Sequence, residues 1–349
     1  MRIWPISFTH KPPSAQVTAI RNRGWLFAVP VALLIVAMVS LCVGASGVSI
    51  EQSMQALFDG DTQSVAYRVL MYIRLPRLLG ALAAGAALAV SGTLIQAVLH
   101  NPLAGPNVIG VNAGAGFFAL LGILLFPGVQ AAVPTLSFIG ALFACLLIYV
   151  IAQRTGASRL TLVLAGIAIS GILGAGIDAI TTLDADVLLQ YQSFRIGGFS
   201  GLSLPMLQPA IWYIVVGLII ALCCAADMNV LMLGEQTAAG LGLHIARVRF
   251  VLLATAAVLA GSAVSFAGLL GFVGLIVPHI CRQIWGGDHR ILLPASMGMG
   301  ALFVLTCDLL SRILFMPYEI PVGILMSLIG GPFFLWLIFR YRRRRSSHD

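Results

Sequence analysis

Charge is scarce in this chain of 349 residues: Asp, Glu, Lys and Arg together make up 9%, against roughly a quarter in a soluble domain. That scarcity excludes a well-solvated globular surface. Long polar segments are scarce too. The longest are the first 24 residues, a stretch near 46–77 and an insert at 227–249, and none can bury a core of its own. No soluble catalytic domain fits. The six cysteines, Cys42, Cys145, Cys223, Cys224, Cys281 and Cys307, lack CxxC spacing and sit in or beside apolar runs. They read as small hydrophobes rather than a disulfide or metal set. The six histidines show no HExxH or paired-ligand spacing, so no metal site is expected. His279, after Pro278, reads as a local hydrogen-bonding or interfacial group. The glycine-rich run Gly110–Gly116 (GVNAGAG) lacks the following Lys-Ser/Thr that would reach phosphates and Mg²⁺. Small residues let membrane helices approach closely, and Gly110 with Gly114, or Gly166 with Ser170 and Gly174, have that spacing.

What is abundant is apolar sequence. Hydrophobic residues make up 60% and the mean hydropathy is +1.01. A membrane-spanning helix needs about 20 apolar residues, because hydrocarbon offers backbone groups no partner and a helix satisfies them internally. Runs near 25–45, 78–99, 108–126, 133–152, 160–181, 206–226, 248–267, 270–285, 291–314 and 320–340 predict an all-α, polytopic membrane protein of about ten spans. The third and eighth are short and glycine-rich. The first run shows no small-residue cleavage site after it and is expected to be a retained helix. The organisation is therefore a segment 1–24, one transmembrane domain 25–340 carrying the polar insert, and a basic tail 341–349.

Cytoplasmic loops accumulate Arg and Lys. Lys11, Arg21 and Arg23 precede the first run, and Arg340, Arg342, Arg343, Arg344 and Arg345 follow the last. Both termini are thus expected inside, which requires an even number of spans. Arg154, Arg159, Arg247, Arg249, Arg282 and Arg290 then fall inside as well, whereas Arg68, Arg74, Arg77, Arg195 and Arg312 fall outside and need a reason. The net charge of +8 is mostly topological. The arginine tail reads as a stop-transfer anchor touching anionic lipid, not a nucleic-acid contact.

Packed, glycine-rich spans without reactive groups suit transport. An ion channel calls for a filter or a ring of charge, and an ion-driven transporter for ionisable groups deep in its spans. Acids within the runs are few. Asp178 lies toward the outer end of its run, and Asp308 precedes Arg312 by one helical turn, where an ion pair competes with a proton relay. The driving force is expected from another subunit. The insert Asp227–Arg249 (DMNVLMLGEQTAAGLGLHIARVR) faces the cytoplasm on this topology. Gly234, Gly240 and Gly242 break it into short helical turns, Glu235 offers charge, and Leu241, Leu243 and Ile245 offer small apolar anchors to a partner surface. Arg77–Gly92 and Arg249–Gly268 are similar in texture and five spans apart, as in an inverted repeat.

Along residues 60–340 several segments carry a resemblance: RLPR at Arg74–Arg77, NPLAGPNVIGVNAGAG at Asn101–Gly116, LGEQTAAGLGL at Leu233–Leu243, GFVGLIVPHICR at Gly271–Arg282, DHRILLP at Asp288–Pro294, and the closing PVGILMSLIGGPFFLWLI. In their order and spacing these resemble the FecCD family, permeases of bacterial ABC importers for iron-siderophore complexes, haem and vitamin B12. The resemblance implies a type II importer permease in the inner membrane, paired with a second, identical or homologous permease. It also implies an extracytoplasmic binding protein and two cytoplasmic ATPase subunits that hold ATP and Mg, with no cofactor and no catalysis on this chain. It makes Leu233–Leu243 the ATPase-coupling segment and matches Arg74, Arg77 and Arg312 to positions that dock the binding protein, against the competing reading of headgroup anchors. It lines the path with the fifth and tenth spans, including Gly166, Ser170, Gly171, Gly174, Gly176, Gly323, Gly330 and Gly331, and puts an inner gate near Thr155–Thr161 without naming a gate residue. The cargo it implies is a ferric siderophore, with haem or a corrinoid as the alternative within the class and an ion-coupled secondary transporter outside it.

Overall fold

The computed structural model describes residues 15–43, 64–155 and 159–345. Among these the chain is helix and turn without strands. Each of the ten expected spans coincides with a helix: α1 (Ala15–Cys42), α2 (Val65–Leu99), α3 (Val111–Leu125), α4 (Ala132–Arg154), α5 (Arg159–Leu183), α7 (Leu204–Cys223), α10 (Ile245–Ala267), α11 (Val273–Trp285), α12 (His289–Ile313) and α13 (Val322–Arg345). Between them lie three shorter helices, α6 (Ala185–Ile196), α8 (Ala225–Leu231) and α9 (Glu235–Gly240). Six of the ten, α2, α4, α5, α7, α10 and α12, are long and apolar enough to cross a membrane by themselves. The third and eighth are short, as their glycine content suggests. At 13 residues, α11 reaches only about 20 Å, less than the roughly 30 Å of hydrocarbon. Irregular backbone at membrane depth is tolerated where protein covers it, and the turn ahead of α11 is of that kind, with Gly268 and Phe272 at φ 70 and 66.

Two features depart from expectation. The stretch near 46–77, read as an outer loop, is helical from Val65 onward: Ser64 accepts the Tyr67 N–H at its start, and a wider π turn at Leu70–Arg74 absorbs Pro76 just downstream. The segment after α5 folds into α6, because the Asp184 carboxylate caps the N–H groups of Asp186 and Val187 while Gly197, at φ 78, ends the turn.

The core is built on α2 and α10, whose most apolar windows are 83% and 67% buried. They carry the two segments of similar texture and pack against each other, with Ser91 Oγ donating to the Ala256 carbonyl at 2.8 Å. A helix covered on nearly every side must be lined with small residues, and this explains the shared Ala/Gly texture. Glycine faces glycine at three crossings. A Cβ on Gly85 would stand 2.2 Å from the Gly300 carbonyl oxygen of α12, one on Gly92 1.9 Å from that of Gly274 in α11, and one on Gly114 2.2 Å from that of Gly140 in α4. Gly114 thus serves the close approach expected of it. Gly110 serves a turn instead, joining the 3₁₀ segment Pro106–Ile109 to α3 at φ 71.

Candidate coupling and translocation sites

The polar insert has the expected short helical turns. Gly234 (φ 102) separates α8 from α9, and Gly240 with Gly242 (φ 85) separates α9 from α10. Only glycine takes such dihedrals without strain. Ala238 is fully buried and turns one side of α9 inward, whereas Leu233 and Leu241 are 61% and 64% exposed. Leu243 and Ile245 are not free anchors: both pack half-buried on the chain's own core. Glu235 is likewise engaged, in an ion pair with Arg249 near the start of α10. The outward surface of the insert is therefore Met232, Leu233 and Leu241 beside the exposed Gln236 and Thr237, set among glycines. Behind it, Asn229 of α8 donates to Asp288 Oδ1 at 2.7 Å. That hydrogen bond, followed by the one from the Arg290 N–H, holds the Asp288 carboxyl below the usual carboxylate range.

The three arginines expected at the outer face lie inside. Arg74, Arg77 and Arg312 are buried. Arg74 Nη1 donates to the carbonyls of Leu41 and Cys42 at 2.8 and 3.0 Å, and Arg312 Nη1 donates to those of Ser40 and Val43 at 3.2 Å each. Two cations thus close the C-terminal end of α1, where its last carbonyls lack helical partners. Arg77 lies between two carboxylates, with Nε 2.8 Å from Asp308 Oδ1 and Nη1 2.7 Å from Glu319 Oε2. Arg312 is 3.2 Å from the other Asp308 oxygen, the ion pair expected from their spacing. Guanidiniums enclosed in this way meet no external carboxylate without first leaving these partners, so an exposed docking trio is not what this structure holds.

The glycines assigned to the path divide into two groups. A Cβ on Gly166 would meet the Val108 carbonyl, one on Gly323 the Ile196 carbonyl, and one on Gly330 the Phe272 ring, at 1.9, 1.8 and 2.3 Å. These three, with Gly176 against Phe117, let backbone and rings approach inside the chain and do not line a conduit. Gly171, Gly174 and Gly331 have nothing within 4 Å. Ser170 is half-buried near Gly110. Gly174 borders a recess of about 290 Å³ with Asn112, Asp178, Thr181, Tyr191 and Arg195, where burial pushes the Tyr191 phenol up. The wider observation concerns the helix: only 17% of the apolar window of α5 is buried, and Leu160, Leu164, Ile167 and Ile172 stay uncovered. Ile324, Leu328 and Trp336 do the same on α13. Of the expected gate, residues 156–158 lie outside the described residues, as do the first 14 residues and the last four.

His279 hydrogen-bonds Gln283 at 2.7 Å and meets Phe333 edge-on, the local role expected of it. The cysteines are free thiols, three of them buried, and among the described residues no cluster of His, Cys, Asp or Glu could hold a metal.

Spans that cover one another through glycine crossings, with a polar helical insert between two of them, make this a multi-pass helical membrane protein. The chain belongs to the FecCD transport family, whose model matches residues 32–340. It is similar to the hemin transport system permease protein of Yersinia pestis, at 37% identity over 90% of this chain and 96% of the relative. It also resembles a permease protein of the Fe(3+)-citrate import system of Bacillus subtilis (strain 168), at 35% over 90% and 95%. A solved structure titled as an inward-facing metal-chelate type ABC transporter matches with a TM-score of 0.81 and 29% identity, over 91% of this chain and 99% of that one. The chain is a permease subunit of the ABC-importer type.

Proposed function

We propose that this chain forms the membrane path of an ATP-driven importer carrying a ferric siderophore into the cytoplasm by alternating access. The observation that carries the reading is the insert: Leu233 and Leu241, which flank the short helix α9 at its two ends, stand exposed to solvent, a patch that calls for a partner surface. We assign that surface to an ATPase subunit, two of which would hold ATP and Mg. A second permease, identical or homologous, would cover the bare faces of α5 and α13, with the path between the two subunits. An extracytoplasmic binding protein would deliver the chelate, and both termini would lie in the cytoplasm. The iron(III)-citrate relative and the metal-chelate neighbour support the cargo class. Haem is the second reading, supported by the hemin relative.

The test is uptake into proteoliposomes holding the permease, its ATPase and its binding protein, with ferric citrate, a ferric hydroxamate, hemin and cobalamin offered in parallel. ATP-dependent entry of an iron chelate is expected. Entry of hemin alone would move the cargo to haem, and entry that follows a proton gradient without ATP would overturn the importer reading.

A further inference from the structure

The polar insert is fastened to three different spans, each time by polar contacts. His100, in the left-handed conformation that ends α2, has Nε2 2.9 Å from the Leu231 carbonyl at the end of α8. Asn229 on α8 uses both ends of its amide on the start of α12: Nδ2 donates to Asp288 Oδ1, and Oδ1 accepts the His289 N–H at 2.9 Å, with His289 Nδ1 at 2.8 Å. Glu235, which opens α9, pairs with the buried Arg249 on α10. The three spans reached, α2, α10 and α12, form the packed centre of the molecule.

Here two short helices are tied to three separate spans, and each span is reached at its insert-side end. Leu243 and Ile245 also touch the core, but apolar contacts are non-directional and slide past one another at little cost. A hydrogen bond weakens steeply outside a narrow range of distance and angle. Directional ties therefore pass on a displacement that greasy contacts would absorb.

We propose that Asn229, Glu235 and His100 are the positioning residues that transmit movement of α8–α9 to α12, α10 and α2. The inference rests on the reading of the insert as the ATPase-facing lever, and names what makes that lever act on the core.

The experiment uses the assembled importer in proteoliposomes, with the probe among ferric citrate, a ferric hydroxamate and hemin that the unmodified complex takes up. It compares Asn229→Ala, Glu235→Gln, Arg249→Glu and the charge-swapped Glu235→Arg/Arg249→Glu chain, measuring retained ATPase, ATP hydrolysis and probe uptake. The single variants are expected to keep the ATPase and hydrolyse ATP, while uptake per ATP falls at least about tenfold, the lower end of what one lost charge-assisted hydrogen bond corresponds to. The swapped chain should recover most of the ratio, which a general loss of stability would not do. An unchanged ratio in Asn229→Ala and Glu235→Gln, or a swapped chain that assembles and stays uncoupled, overturns the proposal. Failure of the underlying reading shows separately: a Leu233→Ser/Leu241→Ser chain that still holds its ATPase would mean that the insert is not the contact surface.

Discussion

Gly92 and Gly171 are chemically the same residue in equally apolar helices, yet substitution should separate them sharply. A methyl group on Gly92 runs into the Gly274 backbone, which cannot rotate away, whereas Gly171 faces open space. Gly92→Ala is expected to cost at least about 1–3 kcal/mol through overpacking and to lower the unfolding temperature in detergent; Gly171→Ala should leave it unchanged. Equal behaviour of the two would count against the crossing of α2 with α11. The arginine cluster makes a second residue-scale prediction. Arg77→Met strands the Asp308 and Glu319 carboxylates with one cation fewer and should cost about 3–5 kcal/mol, as breaking a buried pair does. Adding Asp308→Asn should recover part of that loss, measured as a double-mutant cycle; strict additivity would mean the pair is not coupled. Neither effect is visible in the sequence alone. Arg77 and Asp308 stand 231 residues apart, and only Asp308 with Arg312 could be paired from their spacing along one helix.

At the scale of elements, the ten apolar runs were legible because period and length alone distinguish a buried helix from a loop in so hydrophobic a chain. The helical insert was legible for the opposite reason, as polar, glycine-broken sequence amid apolar runs. Two elements were not. The helical start of α2 carries Arg68, Arg74 and Arg77, and its charge reads as loop until the α1 carbonyls around Arg74 and the carboxylates around Arg77 are in view. Helix α6 is too short and polar to register as a span; its signal was the Asp184 cap and the glycine that ends it. Asp184→Ala should destabilise α6 by about 0.5–2 kcal/mol, seen as faster amide exchange across Ala185–Ile196 with the spans unaffected. The outward leucines belong to this scale too. Leu233→Ser with Leu241→Ser is expected to release the ATPase while the permease stays folded in the membrane, read by co-purification.

For the whole molecule, the uncovered faces of α5 and α13 make the prediction. If a second permease covers them, Ile172→Cys should form an oxidative cross-link to another permease chain, seen as a doubled band that reductant removes. A cysteine at Ile219→Cys on α7, exposed on a different helix, should not; cross-linking at both positions alike would point to random collision.

The sequence by itself determined the class: residue hydropathy and its run lengths are local quantities, and they suffice to specify membrane helices, their approximate number and a polar insert among them. Only the tertiary structure decided what each special residue does. A glycine that meets a carbonyl and one that meets open space share the same local sequence texture, and an arginine near a membrane boundary reads alike whether it faces a partner protein or a buried aspartate. Those roles depend on which distant atoms arrive within about 3–4 Å, and that is set by how the helices cross.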